Sequence, residues 1–325
     1  MLHPGYNDPE MSLPPITDYD TYRAWRGDTS RWLPVARDIA DGHGLSCAAP
    51  HVFSTGTNLV IGLDGDLILK LFPPFLRPQF VSERAALAEL RGRLGVPIPD
   101  LAAEGERDGW PYLVITRLAG TVGSEVWPSL SEAERERVLG EIGAVIAEVQ
   151  RVPPGRLLTT GQPWDAFMRG QIAQCRARHE RLGLPAKFLA SLDDLLRDAT
   201  ELIPMQAPPV ILTGEYIPEN FLLGRRADGW HVAGLFDFGD VRTGWGEYDL
   251  LGPSAFMAAG HPSLVRSLFD GFGIPRSEVN FTLKRRLMAL MMLHSASDPL
   301  RHICIAGWPD RVDDFVQLQE LIWPD

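Results

Sequence analysis

The chain has 325 residues, 45% hydrophobic and 22% charged, with a formal net charge of -11. That length suits two lobes better than one core, and the acidic balance argues against nucleic acid, whose phosphates reward Lys and Arg, while it favours a cationic small molecule. No apolar run approaches the roughly 20 residues that span a bilayer, and residues 1–10 lack the apolar stretch of a signal peptide, so a cytoplasmic protein without a membrane partner is expected.

In chain order, residues 1–20 are rich in Pro, Asp and Tyr and read as an irregular arm. Residues 21–41 carry Trp25, Trp32, Leu33, Val35, Ala36 and Ile39 at near-helical spacing and predict a helix. Strands are predicted at 49–53, 58–63 and 67–72, the last two joined by the hairpin signal Asp64-Gly65-Asp66. Residues 80–94 return to helical period through Ala85, Leu87, Leu90 and Leu94, and Val96-Pro97-Ile98-Pro99 ends it. Two more strands follow at 101–106 and 110–118, turning at Asp108-Gly109. After Gly120 the pattern turns helical. Ser131 with Glu134 forms a capping box, and Leu139, Ile142, Ile146 and Val149 mark one buried face. Further helices are predicted near 164–182, 186–202, 263–272, 281–295 and 310–322, around a short β-like region at 210–212, 221–223 and 232–236. The expectation is an α+β fold. An arm covers 1–20, an antiparallel sheet lobe with one inserted helix covers 21–119, and a larger helical lobe covers 120–325. Cys47, Cys175 and Cys304 lie far apart without metal-binding spacing and read as reduced thiols.

Several residues carry chemistry. Asp237-Phe238-Gly239 follows the apolar stretch 232–236 and leaves a carboxylate at a strand end, suited to Mg²⁺, a hard cation that prefers oxygen. Such a turn also carries Asp and Gly for backbone reasons alone, so its weight comes from its neighbours. Upstream stands Thr213-Gly214-Glu215-Tyr216-Ile217-Pro218-Glu219-Asn220. The spacing from Glu215 to Asn220 matches the protein-kinase loop H-R-D-x-x-x-x-N, whose Asp accepts the hydroxyl proton and whose Asn holds a metal. Glu215 is thus the candidate base, and Asn220 and Asp237 the candidate metal ligands. Lys70 lies within the apolar strand LILKLF. A lone strand Lys usually faces solvent, but a kinase needs one paired with a helix Glu to grip phosphates. Glu83 fits that partner better than Glu89. The preceding loop, Ser54, Thr55, Gly56 and Thr57, has one Gly and three hydroxyls to set backbone N–H groups over phosphates. In kinases adenine pairs with backbone of the segment joining the lobes, and order along the chain points to Thr116 and Leu118 for that role.

Taken together, these residues resemble the aminoglycoside phosphotransferase family over nearly the whole chain, from about residue 21 onward. The family pattern H-G-D-x-x-x-x-N is represented by Thr213-Gly214-Glu215 through Asn220, the metal Asp by Asp237, and a later G-D…D-L segment by Gly246-Glu247-Tyr248-Asp249-Leu250. The stretches WPYLVITRLAGT and LFDFGDV look closest to hygromycin B phosphotransferases. The resemblance implies a bilobal protein-kinase-like fold, ATP or GTP with Mg²⁺, and phosphate transfer to a hydroxyl of a cationic acceptor such as an aminoglycoside, in a monomer or homodimer. Two residues depart from the pattern: Thr213 replaces His, and Glu215 replaces Asp. Glu keeps the carboxylate but adds a methylene, and a shift of about 1 Å in a positioned group can cost on the order of 100-fold in rate. Two alternatives therefore stay open: a kinase of choline, a sugar or an amino alcohol, and a nucleotide-binding pseudokinase. Glu247, Asp270, Asp298 and Asp313, with Asp314, are the carboxylates expected to receive ammonium groups, although a solvated surface carboxylate is the simpler account of each. His294 reads as a satisfied, partly buried histidine. Met288, Met291 and Met292 read as core, and Trp245, Trp308 and Trp323 as core or as platforms for a sugar ring.

Overall fold

The computed structural model describes residues 12–53 and 56–325. The chain divides into two compact units. The first runs up to Arg91 and includes Ile98–Leu118; the second joins Gly92–Pro97 to Ala119–Asp325. Among the described residues, no helix is long and apolar enough to cross a membrane.

The first unit is built on an antiparallel sheet in the order β1-β2-β3-β5-β4, comprising β1 (His51–Phe53), β2 (Leu59–Gly62), β3 (Leu67–Leu71), β4 (Leu101–Arg107) and β5 (Trp110–Thr116). Asp108 and Gly109 both take positive φ (51° and 82°), as a tight turn matching the strands' twist requires. The expected helix over 21–41 is two helices, α1 (Tyr19–Arg26) and α2 (Thr29–Gly42). The hydrophobic period continues across the break, but Asp28 accepts a hydrogen bond from Ser30 N (3.2 Å) and starts a new helix there. Of the expected irregular arm, residues 1–11 lie outside the described residues, and residues 12–18 carry no helix or strand. Leu13 and Ile16 are buried, and Pro14 O accepts from Trp110 Nε1 (2.8 Å).

Side-chain alternation along β3 sorts the two faces of this sheet. Leu69 and Leu71 join Leu59, Ile61, Trp110 and Val114 in one core with Trp25, Trp32 and Val35 of α1 and α2. Lys70, between them, ion-pairs at 2.6 Å with Glu83 of α3 (Arg77–Leu90). Helix α3 starts and ends earlier than its period suggests, because Pro78 suits a first turn and Gly92 takes a φ of +65° just past its end.

In the second unit, the Ser131/Glu134 capping box opens α4 (Glu132–Arg151). This helix packs against α7 (Pro262–Phe272) so closely that a Cβ on Gly143 would collide with Leu268 O. Helices α5 (Trp164–Arg181), α6 (Ala186–Leu202), α8 (Phe281–Leu293) and α9 (Phe315–Ile322) are the other longer helices of the unit, beside several short ones. The helix expected over 310–322 is shortened because Asp314 accepts from Gln317 N (2.8 Å) and caps α9. Met288, Met291, Met292, Trp308 and Trp323 are buried. Two small antiparallel sheets run between the helices, β6-β8-β9 and β10-β7. Their strands are β6 (Thr121–Val122), β7 (Val210–Leu212), β8 (Phe221–Arg226), β9 (Gly229–Leu235) and β10 (Arg242–Gly244).

The Lys70–Glu83 pair is 5% and 1% exposed, and removing one partner of such a pair costs about 3–5 kcal/mol because it leaves an uncompensated buried charge. Glu83→Ala is expected to lose stability of that order in urea denaturation, and Lys70→Met combined with Glu83→Gln to recover most of it. Simple additivity of the two single substitutions would show that the charges are not coupled.

Candidate functional site

The loop 213–220 leaves β7 where Ile211 and Leu212 are fully buried and ends in a turn at Pro218–Asn220 that feeds β8. Gly214 sits at φ +78°, a conformation that a Cβ would strain. With it, two consecutive amides meet one carboxylate. Thr213 N donates to Asp249 Oδ2 (3.1 Å) and Gly214 N to Asp249 Oδ1 (2.8 Å). Burial pushes the Asp249 carboxyl up to about 7, against the opposing pull of the two N–H groups, Gln150 and Arg242. Asp249 belongs to the G-E-Y-D-L segment, but nothing in the sequence alone marks it as the loop's anchor.

His294 supports the same loop. Its Nε2 donates to Gly214 O (3.2 Å), its Nδ1 accepts from Ala296 N (3.2 Å), and its ring stacks on Tyr248 at 4.7 Å and 16°. Burial pushes its pKa down to about 4, so the ring is neutral near pH 7, the state this donor–acceptor pattern needs.

Glu215 follows Gly214. Asn220 Nδ2 donates to Glu215 O (3.1 Å) and, at longer range, to Glu215 Oε2 (3.4 Å). Phe236 N donates to Asn220 O (3.1 Å), continuing the Phe221–Leu235 pairing of β8 and β9. Asn220 and Asp237 therefore leave that hairpin as close neighbours. Asp237 has φ 66°; among the described residues the only other non-glycine at positive φ is Asp108. Left-handed backbone costs an ordinary residue roughly 1–2 kcal/mol and gathers at functional positions, where it aims a side chain. A carboxylate and an amide oxygen suit Mg²⁺, which takes one or two protein oxygens and fills its shell with phosphate and water.

In the first unit, Lys70 and Glu83 stand paired as described. Ser54 and Thr55 lie outside the described residues. Gly56 has φ +85° and its carbonyl accepts from Arg26 Nη1 (2.5 Å), while neighbouring Thr57 is exposed. Thr116 Oγ1 accepts from Asp100 N (2.9 Å), and Leu118 is the last residue of the unit.

The five candidate acceptor carboxylates are not brought together. Glu247 is buried in a bidentate pair with Arg286 (2.5 and 2.6 Å). Asp270 is exposed at the end of α7, Asp313 pairs with Lys187 (3.2 Å), and Asp314 caps α9. Asp298 alone among them lines a cavity beside Glu215, of about 210 Å³. A second cavity of about 170 Å³ adjoins Glu215 and includes Asp240 and Arg242. Sequence shows charge but not partners, which is why Glu247 looked available.

Residues 50–286, more than half of the chain, match the model of the Phosphotransferase enzyme family. Among solved structures, the chain is similar to the GDP complex of wild-type aminoglycoside 2'-phosphotransferase-IIIa, with 18% identity over 88% of this chain and 96% of that one, at a TM-score of 0.66. It is similar to the GDP and kanamycin complex of APH(2")-IIia, with 19% identity over 90% and 98%, at 0.64. It is also similar to a macrolide 2'-phosphotransferase from Brachybacterium faecium, with 19% identity over 79% and 89%, at 0.56. At these identities the likeness establishes the fold, a kinase-like one with a sheet lobe and a helical lobe.

Because its folded pKa is raised, Asp249 contributes stability that is present below its ordinary value of 3.8 and lost as pH rises through about 7. Urea denaturation is expected to show stability falling across that window, with Asp249→Asn removing this part of the slope. An unchanged slope in Asp249→Asn would assign the effect to another group.

Proposed function

Because the chain belongs to the phosphotransferase enzyme family, we propose that it transfers the γ-phosphate of ATP or GTP to a hydroxyl of a cationic small molecule. The observation that carries this is the loop 213–220, in which Glu215, hooked by Asn220, is held on a backbone fixed by Asp249. The net charge of -11 supports a cationic acceptor, and one similar structure is a kanamycin complex. Hygromycin B, suggested by WPYLVITRLAGT and LFDFGDV, is the first aminoglycoside to test. A nucleoside triphosphate donor puts the reaction in the cytoplasm.

In this reading, Glu215 takes the proton of the acceptor hydroxyl as its oxygen bonds to the γ-phosphorus. The bond from that phosphorus to the bridging oxygen breaks, and the nucleoside diphosphate leaves with the electron pair. Lys70, kept in place by Glu83, neutralises phosphate charge. Asn220 and Asp237 would hold Mg²⁺, which when bound supplies positive charge to the phosphate oxygens. The rest is positioning, the main source of rate in phosphoryl transfer. Thr213 brings no imidazole to the loop, but His294 supplies one through space to Gly214 O. That contact favours an active enzyme over a pseudokinase.

Assays of ADP and GDP release with Mg²⁺ should show turnover on at least one of hygromycin B, kanamycin and choline. Glu215→Gln is expected to lower kcat by about 100-fold or more with nucleotide affinity retained. Nucleotide binding without release on any cationic acceptor would contradict the proposal. His294→Phe keeps an aromatic ring against Tyr248 but removes the donor to Gly214, so kcat should fall about tenfold with the nucleotide KM unchanged. An unaltered kcat would remove His294 from the account.

A further inference from the structure

The two cavities beside Glu215 differ in chemistry. Ile217, Leu251, Ala255, Phe256, Met291 and Ile303 make the larger one mainly apolar. Its two histidines add no charge. Burial lowers the pKa of both His294 and His302, and the His302 ring packs on Phe256 at 5.1 Å. Besides Glu215, its one carboxylate is Asp298, which also accepts from Arg301 N at 3.3 Å. The smaller cavity is the more polar of the two, bordered by Asp240, Arg242, Tyr248 and Ser295. Gly214, Glu215, His294 and Ala296 line both. The proposed base therefore stands where a mainly apolar compartment meets a more polar one.

This division constrains the acceptor. Within the larger cavity an ammonium group beyond the one that Asp298 can pair would lie against the apolar wall, where an unpaired charge is costly. At about 210 Å³, the larger cavity falls below the about 300–1,000 Å³ that encloses a whole drug-sized ligand, so it takes one apolar part of a larger acceptor. We infer that the acceptor is an amphiphilic amino alcohol: an apolar body in the larger cavity, a polar hydroxylated part in the smaller, the reacting hydroxyl between them at Glu215, and a single ammonium group at Asp298. This deepens the phosphotransferase reading and rests on it for the role of Glu215.

Binding and turnover test the two levels separately. Equilibrium binding by calorimetry, at low and raised salt, would compare erythromycin, an amino sugar on an apolar macrolactone, with kanamycin and hygromycin B, which are polar and carry several amines. Erythromycin should bind at least about tenfold more tightly than either, with the smaller dependence on salt. Phe256→Ser, at a half-buried wall position, should weaken erythromycin about tenfold and leave kanamycin unchanged. Asp298→Asn should weaken erythromycin but reduce its salt dependence. Tighter binding of kanamycin or hygromycin B, or no effect of Phe256→Ser in a variant whose circular dichroism matches the parent, would overturn the assignment. Phosphorylation is read in parallel by mass spectrometry. Erythromycin bound as expected, with neither it nor kanamycin nor hygromycin B phosphorylated, would overturn the phosphotransferase reading, and with it the role of Glu215, while the binding assignment stands. Phosphorylation of kanamycin alone would overturn the amphiphile assignment and leave the phosphotransferase reading intact.

Discussion

The carboxylate of Asp249 accepts two consecutive backbone N–H donors in a place sealed from water, and the loop from Thr213 to Asn220 hangs from it. A buried carboxylate is expensive unless donors surround it. Here the donors are the backbone of the loop that carries Glu215. The same interaction that makes Asp249 tolerable in the core thus fixes the start of the loop. Gly214 allows it by taking a φ closed to most residues, and His294 secures the carbonyl of that same glycine.

Everything downstream in the second unit follows from that anchor. Asn220 closes the loop by bonding back to Glu215, and the β8–β9 pairing sets Asp237 beside Asn220. Asp237 takes a left-handed backbone there, which Asp tolerates better than most residues. Set against the H-G-D pattern that the sequence resembles, Glu215 is one methylene longer, and Asn220 Nδ2 reaches both its carbonyl and its carboxylate. Thr213 carries no imidazole, and His294, just past the end of α8, donates one ring N–H to Gly214 O. These contacts are local, and each is a hydrogen bond rather than a general property of the fold.

Much of the architecture could be read from the chain because the local signals agree with one another. Apolar alternation, the Asp108-Gly109 turn and the Ser131/Glu134 box each specify one structure. The break between α1 and α2 was hidden because apolar period says nothing about capping, and Asp28 acts through its side chain. Strands β6 and β10 are too short to carry a period at all. In the first unit Lys70 stands out in the sequence as a cation among apolar neighbours, and in the second Asp237 stands out through its place at a strand end. What stayed illegible was partnership. Arg286 pairs with Glu247, Asp249 accepts from the backbone of the 213–214 loop, and the apolar wall from Leu251 to Ile303 gathers residues that are far apart in sequence.

The central claim is that Asp249 holds the loop, and amide hydrogen exchange at Thr213 and Gly214 tests it most directly. In the wild-type protein both amides should be protected to a degree comparable with Ile211 in β7. In Asp249→Ala that protection should be lost at Thr213 and Gly214 while Ile211 keeps its own. Rapid exchange of both amides in the wild-type protein, or protection that survives the substitution, would contradict the account.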